Sequence, residues 1–290
     1  MSRWSLESWK NYILDQAPGW QDNQELKNTT SQIRKNPPIV FKDEIKLLKK
    51  RLSKVHDGNY FIIQGGDCAE TFSDFNGELI KNKLNILLQM SVLLSYKTSL
   101  KTIRIGRIAG QFAKPRTNPI EIFNNMEFPS YRGDAINSLD CNIKSRTPNP
   151  LRMLEAYNQS VYTLNLIRSI INSGYTNILN ANEWDLDFIK QSPHVREYNE
   201  IISKIQQTLS FIKTVDRKSE NIKDVELYEF FTSHEGLILE YEQALTKYDA
   251  LENKYYDYSG HMIWVGDRTR SVNGSHIEFV SGIENPIGIK

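Results

Sequence analysis

Cys68 sits between Asp67 and Glu70, just past an apolar run that ends in Gly65 and Gly66. Carboxylates beside a thiol raise its pKa and disfavour a free thiolate. A bound divalent cation reverses that logic, because a coordinating thiol is deprotonated outright. Cys68 is therefore expected to act as a metal ligand rather than as a nucleophile. The plainer alternative is a buried structural cysteine, the commonest role of this residue type. No H-x-x-x-H or C-x-x-C accompanies it to complete a site.

The second feature is GRIAGQFAKPRT, Gly106 to Thr117, which holds Arg107, Lys114 and Arg116. No acidic residue lies between Ile105 and Ile120. Arginine forks bind phosphate or carboxylate bidentately and lysine adds a point charge. An anion site is expected here, against the alternative of a solvated basic loop. Arg132, in YRGDAIN, adds a cation beside what reads as a turn at Gly133. In TSHEG the plain expectation is local: Thr232 or Ser233 caps a following helix, with Glu235 in its first turn. VGDRTR sets Asp267, Arg268 and Arg270 at a strand end, where a surface ion pair is the simplest role. Lys290 closes an apolar strand, suited to reaching a phosphate or to forming a Schiff base. Arg107, Lys114, Arg116, Arg268, Lys290 and Cys68 together would be accounted for by two anionic groups and a metal. Phosphorylated small metabolites supply such groups.

These residues need a scaffold that gathers strand ends. Tyr60–Gln64, 101–106, 176–180, 225–232, 261–266 and 286–289 read as strands, six in all. Between them, residues 78–97, the stretch after Asn149-Pro150, the stretch from Val195 to Ile212, and the run Leu237, Tyr241, Leu245 and Tyr248 have helical spacing. Asn149 followed by Pro150 suits a helix start. Residues 110–150 read as one long loop, too long for a simple connection and hence functional. Alternating strands and helices predict an α/β fold with a parallel sheet. The polar, glycine-rich residues fall just after strand ends, where barrels and doubly wound sheets both collect chemistry. GGDCAE lacks the G-x-G-x-x-G spacing, which favours a barrel. Residues 1–58, with three tryptophans and the breaker pair Pro37-Pro38, read as an N-terminal helical extension to a barrel domain at 59–290.

Lys plus Arg total 36 against 35 for Asp plus Glu, so no long-range attraction to nucleic acid or membrane is expected. No apolar run approaches the roughly 20 residues of a membrane helix. The N-terminus shows no signal-peptide pattern. Two cysteines are too few for a disulfide scaffold, which fits a reducing cytoplasm.

GGDCAE, RIAGQFAKPR, PSYRGD, TSHEGLILEYE, WVGDRTR and the NPIGIK ending together resemble the class II (plant-type) 3-deoxy-D-arabino-heptulosonate 7-phosphate (DAHP) synthases, in order and across the whole chain. The resemblance implies a (β/α)8 TIM barrel with extra N-terminal helices, here incomplete at about six strands. It implies the condensation of phosphoenolpyruvate with erythrose 4-phosphate, the first step of the shikimate pathway to the aromatic amino acids. A divalent metal, Mn2+ or Co2+, would act as Lewis acid. By motif, Cys68 would be the metal ligand. Arg107, Arg268 and Lys290 would hold phosphoenolpyruvate, with Asp267 orienting that cluster, while Lys114 and Arg116 would serve the aldehyde side. A cytoplasmic homo-oligomer is implied, with chorismate mutase as a conceivable partner.

Asp267 departs from the glutamate usual in the family. The chain also lacks the family's later motifs, which bring a histidine, a glutamate and an aspartate to the metal, a further arginine and the last two strands. A partial sequence, without turnover of its own and poorly soluble, is therefore the expectation. The alternatives are a class I aldolase with Lys290 as Schiff base, and a non-catalytic barrel fragment serving as a partner protein.

Overall fold

Two helices, α1 (Asn23–Lys35) and α2 (Lys42–Ser53), precede the first strand in the computed structural model, which describes residues 4–173, 190–215 and 229–290, with the backbone alone at 209–215. Asp22 caps α1 by accepting from Gln24 N and Glu25 N, each at 2.8 Å. Pro37-Pro38 then keeps α1 from continuing. Glu44 reaches back to Phe41 N at 2.8 Å to start α2. Ile33, Ile39, Val40 and Ile45 from this region pack into one buried cluster with Phe112 and Ile136. The N-terminal helices thus brace the segment that follows the second strand.

Strands β1 (Tyr60–Gly66) and β2 (Lys101–Arg107) pair in parallel over their full length, with Gly66 opposite Arg107. Helix α3 (Gly77–Thr98), capped by Asn76, makes the crossover that parallel pairing requires. Residues 110–150 are more structured than their composition suggests. They contain the hairpin β3 (Ile120–Phe123) and β4 (Met126–Pro129), and the short helix α4 (Ile143–Arg146). Asn124 and Asn125 turn the hairpin at φ 50° and 58°, the left-handed pair that a two-residue turn uses.

Helix α5 (Arg152–Asn172) begins where Asn149 Oδ1 accepts from Leu151 N at 2.8 Å. Helix α6 (Val195–Val215) matches the expected periodicity. The strand expected at 176–180 lies outside the described residues, as do residues 225–228 of the next one. Strand β5 (Phe231–Glu235) takes in all of TSHE, and helix α7 (Leu239–Leu245) starts only later. The expected cap at Thr232 or Ser233 is therefore corrected: every residue of β5 is buried, and Thr232 Oγ1 instead contacts His261 Nδ1 at 2.9 Å. The helix expected to include Tyr248 is also shorter. Tyr248 belongs to β6 (Thr246–Asp249), which turns back into β7 (Lys254–Asp257). Asp249 Oδ1 accepts from Leu251 N and Glu252 N, and that local side-chain turn outcompetes another helical turn.

Strand β8 (Met262–Val265), helix α8 (Ser275–Val280) and strand β9 (Ile287–Ile289) follow. The main sheet has the order β1-β2-β5-β8-β9, every pair parallel. Among the described strands space order follows chain order without reversal, so they form no topological switch point of the dinucleotide-binding kind. The sheet is a curled half-barrel of five described strands. No helix among the described residues is long and apolar enough to cross a membrane.

Candidate active site

Parallel strands in chain order deliver their C-terminal ends to one edge. Gly66, Arg107, Glu235, Val265 and Ile289 end the five strands there. The residues just beyond are stitched to the same edge: Asp67 N donates to Arg107 O at 3.2 Å, and Lys290 N to Val265 O at 3.1 Å. Gly66 is needed for this closeness. Its φ is 140°, and a Cβ there would lie 2.4 Å from Arg107 O. That glycine serves the approach of two strand ends rather than space for a ligand.

Arg107 crosses the edge toward β8. Its guanidinium lies 4.6 Å from the Trp264 ring centroid and donates to Cys68 O at 3.3 Å. Cys68 and Arg107 therefore belong to one rim. Three buried polar atoms at these strand ends have no partner: Arg107 Nε, Trp264 Nε1 and Glu235 Oε1. Glu235 is 5% exposed, and its main-chain N–H donates to Gln111 Oε1 at 3.0 Å. A Cβ on Gly266 would sit 2.3 Å from Glu235 Oε1, so only glycine lets the β8 end pass beneath this carboxylate. Burial pushes the Glu235 pKa up to about 7, against the pull of Arg107, Lys290, the nearby Gly266 main-chain N–H and Arg268. Those three cations thus lie within electrostatic reach of one buried carboxyl group.

A second buried carboxylate shapes the rim. Glu70 accepts from Ala109 N at 3.0 Å, Gly110 N at 2.9 Å and Gln111 N at 2.7 Å. Burial raises its pKa, while the three amides pull the other way. The loop after β2 is therefore wrapped around a side chain from the loop after β1. Glu70→Ala should lower unfolding free energy by about 3–5 kcal/mol, because each stranded amide costs about 1–3 kcal/mol. Denaturant titration checks this; a loss under about 1 kcal/mol would mean the amides find other partners.

Neither carboxylate that flanks Cys68 in sequence attends to the thiol. Asp67 pairs with Lys83, and Glu70 is committed to the loop amides. Cys68 is an exposed free cysteine. Among the described residues no three His, Cys, Asp or Glu side chains gather as a metal site. The donors present do not by themselves fit a metal ion. Asp267 pairs with Arg270 at 2.6 Å on an exposed surface. Arg270 in turn donates to Lys290 O at 3.0 Å, which connects Asp267 to the last strand through an intermediary.

Arg268 reaches across to Thr117 Oγ1. Arg268, Arg116 and Thr117 line an open cavity of about 790 Å³, where Arg116 also meets Glu121. Lys114 is placed through its main chain, N–H to Arg132 O at 2.9 Å. The structure thus groups Arg107, Arg268 and Lys290 around Glu235, and puts Arg116 with Arg268 on the adjoining wall. Sequence reasoning gave Glu235 a capping role, and it did not single out Trp264 or Gln111. The available signal was an acidic residue at a strand end facing several separate cationic segments.

Beneath the rim, His234 Nε2 lies 3.0 Å from Glu242 Oε1. Burial draws the His234 pKa down, and Glu242, Glu70 and Glu235 together push it above the ordinary histidine value. Asp257, fully buried, is raised well above its usual range by burial and by Glu242.

Residues 4–290 match the profile of the family described as Class-II DAHP synthetase family. The chain is 40% identical over 283 residues to the phospho-2-dehydro-3-deoxyheptonate aldolase of Streptomyces coelicolor, covering 98% of this chain and 62% of that protein. It is 39% identical over 302 residues to the protein of the same name from Neurospora crassa, covering 99% and 62%. The chain spans 62% of the length of these curated relatives.

Proposed function

We propose that this chain, which belongs to the class-II DAHP synthetase family, forms the phosphoenolpyruvate-binding rim of a (β/α)8 barrel that joins phosphoenolpyruvate to erythrose 4-phosphate. The observation that carries this is the set of buried, unpartnered atoms Arg107 Nε, Trp264 Nε1 and Glu235 Oε1 among the cations Arg107, Arg268 and Lys290. Native interiors rarely leave such atoms unpaired. An acid bearing both carboxylate and phosphate would satisfy the donors, and a water molecule would satisfy Glu235.

In this proposal Arg107 and Lys290 hold the carboxylate and phosphate of phosphoenolpyruvate. Arg268, shared between the rim and the adjoining cavity, bridges to the aldehyde side, where Lys114 and Arg116 bind the second phosphate. Asp267 orients the cluster through Arg270. C3 of phosphoenolpyruvate attacks the aldehyde carbon, leaving C2 electron-poor. Glu235 takes one proton from a water that adds at C2. The new hydroxyl then gives its proton to the departing phosphate as the C2–O bond breaks and C2 becomes a ketone. Glu235 returns its proton to the oxygen of the former aldehyde, so its carboxylate is regenerated.

The family implication of a divalent metal concerns Cys68 here. Cys68 would contribute one sulfur ligand, and no further donors gather around it among the described residues, so no step above runs through an ion. Where a longer chain supplies the remaining donors, cobalt(II) should give a thiolate-to-metal absorption band that Cys68→Ser lacks. An unchanged band in Cys68→Ser would remove this residue from the metal.

Calorimetry with phosphoenolpyruvate and pyruvate tests the substrate. Phosphoenolpyruvate should bind saturably and at least about tenfold tighter than pyruvate, because the phosphate adds charge-assisted hydrogen bonds. In a longer chain that completes the barrel, release of inorganic phosphate should depend on erythrose 4-phosphate. Equal affinity for the two acids would defeat the assignment.

A further inference from the structure

A second cavity, of about 500 Å³, lies between Gln16–Gly19 of the N-terminal segment and the loop that carries β3, β4 and α4. Arg116, Arg132 and Arg146 line it, and among the described residues no carboxylate does. It shares Arg116, Thr117 and Arg146 with the cavity that contains Arg268, so those residues form the wall between them. We infer that this cavity is a second oxyanion site, which takes a small acid through one phosphate or carboxylate group.

The charges around this cavity do not balance. Arg116 and Arg146 share Glu121, which faces the other cavity. Arg146 is further consumed by main-chain carbonyls, Asp140 O at 3.0 Å and Leu139 O at 2.9 Å, and its side chain is 4% exposed. It is structural, and its charge remains. Among the described residues the Arg132 guanidinium donates only to the carbonyls of Gln16 and Ala17. Carbonyl dipoles satisfy its hydrogen bonds but do not cancel its charge. Burial holds the Arg132 guanidinium below its ordinary pKa, with no carboxylate opposing. Three guanidinium groups facing one shared carboxylate leave two positive charges in a recess. Half-buried cations without counter-ions are costly. A bound oxyanion supplies what is missing, and the planar fork of Arg132 suits either a phosphate or a carboxylate.

Two features make this more than a basic patch. Gln16 holds a left-handed conformation at φ 59°, and its side-chain oxygen accepts from Arg116 N at 2.8 Å. The N-terminal segment is thus bent into a wall that touches both Arg116 and Arg132. The wall is also shared with the aldehyde side of the proposed reaction, so an anion bound behind Arg116 acts on the residue that faces the substrate. Any such coupling must be reciprocal.

The site stands without the condensation proposed above, and it is tested where the rim cannot contribute. In an Arg107→Ala, Lys114→Ala, Arg268→Ala, Lys290→Ala chain, which disables the adjoining phosphate site as well as the rim and keeps Arg116, inorganic phosphate and malonate are titrated by calorimetry. One saturable event is expected, with the tighter of the two probes identifying the anion class. Arg132→Ala should weaken it at least about tenfold, the size of one lost charge-assisted contact. That change also removes the tie to Gln16 and Ala17, so Ala17→Trp serves as the second variant. It fills the cavity from an exposed position and leaves all three arginines in place. Binding lost in both variants supports the site. No binding in the rim-deficient chain, or affinity unchanged in Ala17→Trp, overturns it.

Discussion

Arg107→Ala will weaken phosphoenolpyruvate binding by at least about 30-fold, since truncating a hydrogen-bonded charge at a recognition site costs about 2–5 kcal/mol. The side chain does three jobs at once. It stacks on Trp264 at 4.6 Å, fixes the loop after β1 through Cys68 O, and presents a buried Nε with no protein partner. Arg107→Lys separates these jobs. It keeps a positive charge near Glu235 but loses the planar fork and the stack, so an intermediate loss of about tenfold is expected. Calorimetry on both variants gives the ordering. If lysine proved as poor as alanine, geometry rather than charge would be carrying recognition. If alanine cost less than about threefold, the rim would not be the phosphoenolpyruvate site at all.

Trp264 explains why this position is so specific. It is fixed on a buried strand between Glu235 and the last strand, through the pairings Glu235 to Trp264 and Trp264 to Gly288. Arg107, two strands away, reaches its ring over β5. A cation from one edge element and an aromatic from another can only be aligned by a sheet whose order is known. The strand ends at Arg107 and Lys290 were legible in the sequence because glycine and charge follow a short apolar run. The stack between Arg107 and Trp264 was not legible, because nothing local to either residue records it.

The same division holds elsewhere. Helices α3, α5 and α6 follow from periodicity and from caps such as Asn76 and Asn149. The hairpin at Asn124-Asn125 carried a turn signal inside a segment whose prolines and polar residues suggested plain loop. Tyr248 fits a helical spacing by coincidence, and the Asp249 turn settles it as strand. TSHE looks like a cap because Thr, Ser and Glu are capping residues. It is a strand because His234 finds Glu242 and Glu235 finds the cationic rim, partners that come from other elements. Cys68 between two carboxylates suggested a local electrostatic argument, yet Lys83 and the loop amides take those carboxylates away. The oxyanion cavity behind Arg116 depends on residues about a hundred positions apart, and composition records only that both stretches are polar.

In a longer chain that completes the barrel, Glu235→Gln should cost about 10²–10⁴-fold in kcat, the range for a general acid–base group, and should also change how both activity and stability respond to pH. With Glu235 as the base that accepts the proton of water, kcat/KM of the parent chain rises through about pH 7, where the carboxylate forms. The glutamine variant should keep its residual rate without that limb. The stability effect has the opposite sense. Burial raises the folded-state pKa from the ordinary 4.5 to about 7, so the native state binds this proton more tightly than the unfolded chain does. The stability this proton contributes is present in full below about pH 4.5 and is lost as pH rises to about 7. Taken over that window, the loss is about 3 kcal/mol for this one group. Glutamine never ionises, so Glu235→Gln should gain on the parent protein across the same window and keep that lead above pH 7. Unfolding free energies at pH 5 and pH 8 measure it. A variant that is slower and yet more stable at pH 8 is what a strained catalytic acid requires. A variant slower and less stable at both pH values would make Glu235 a packing residue, and the proton in the proposed reaction would need another carrier.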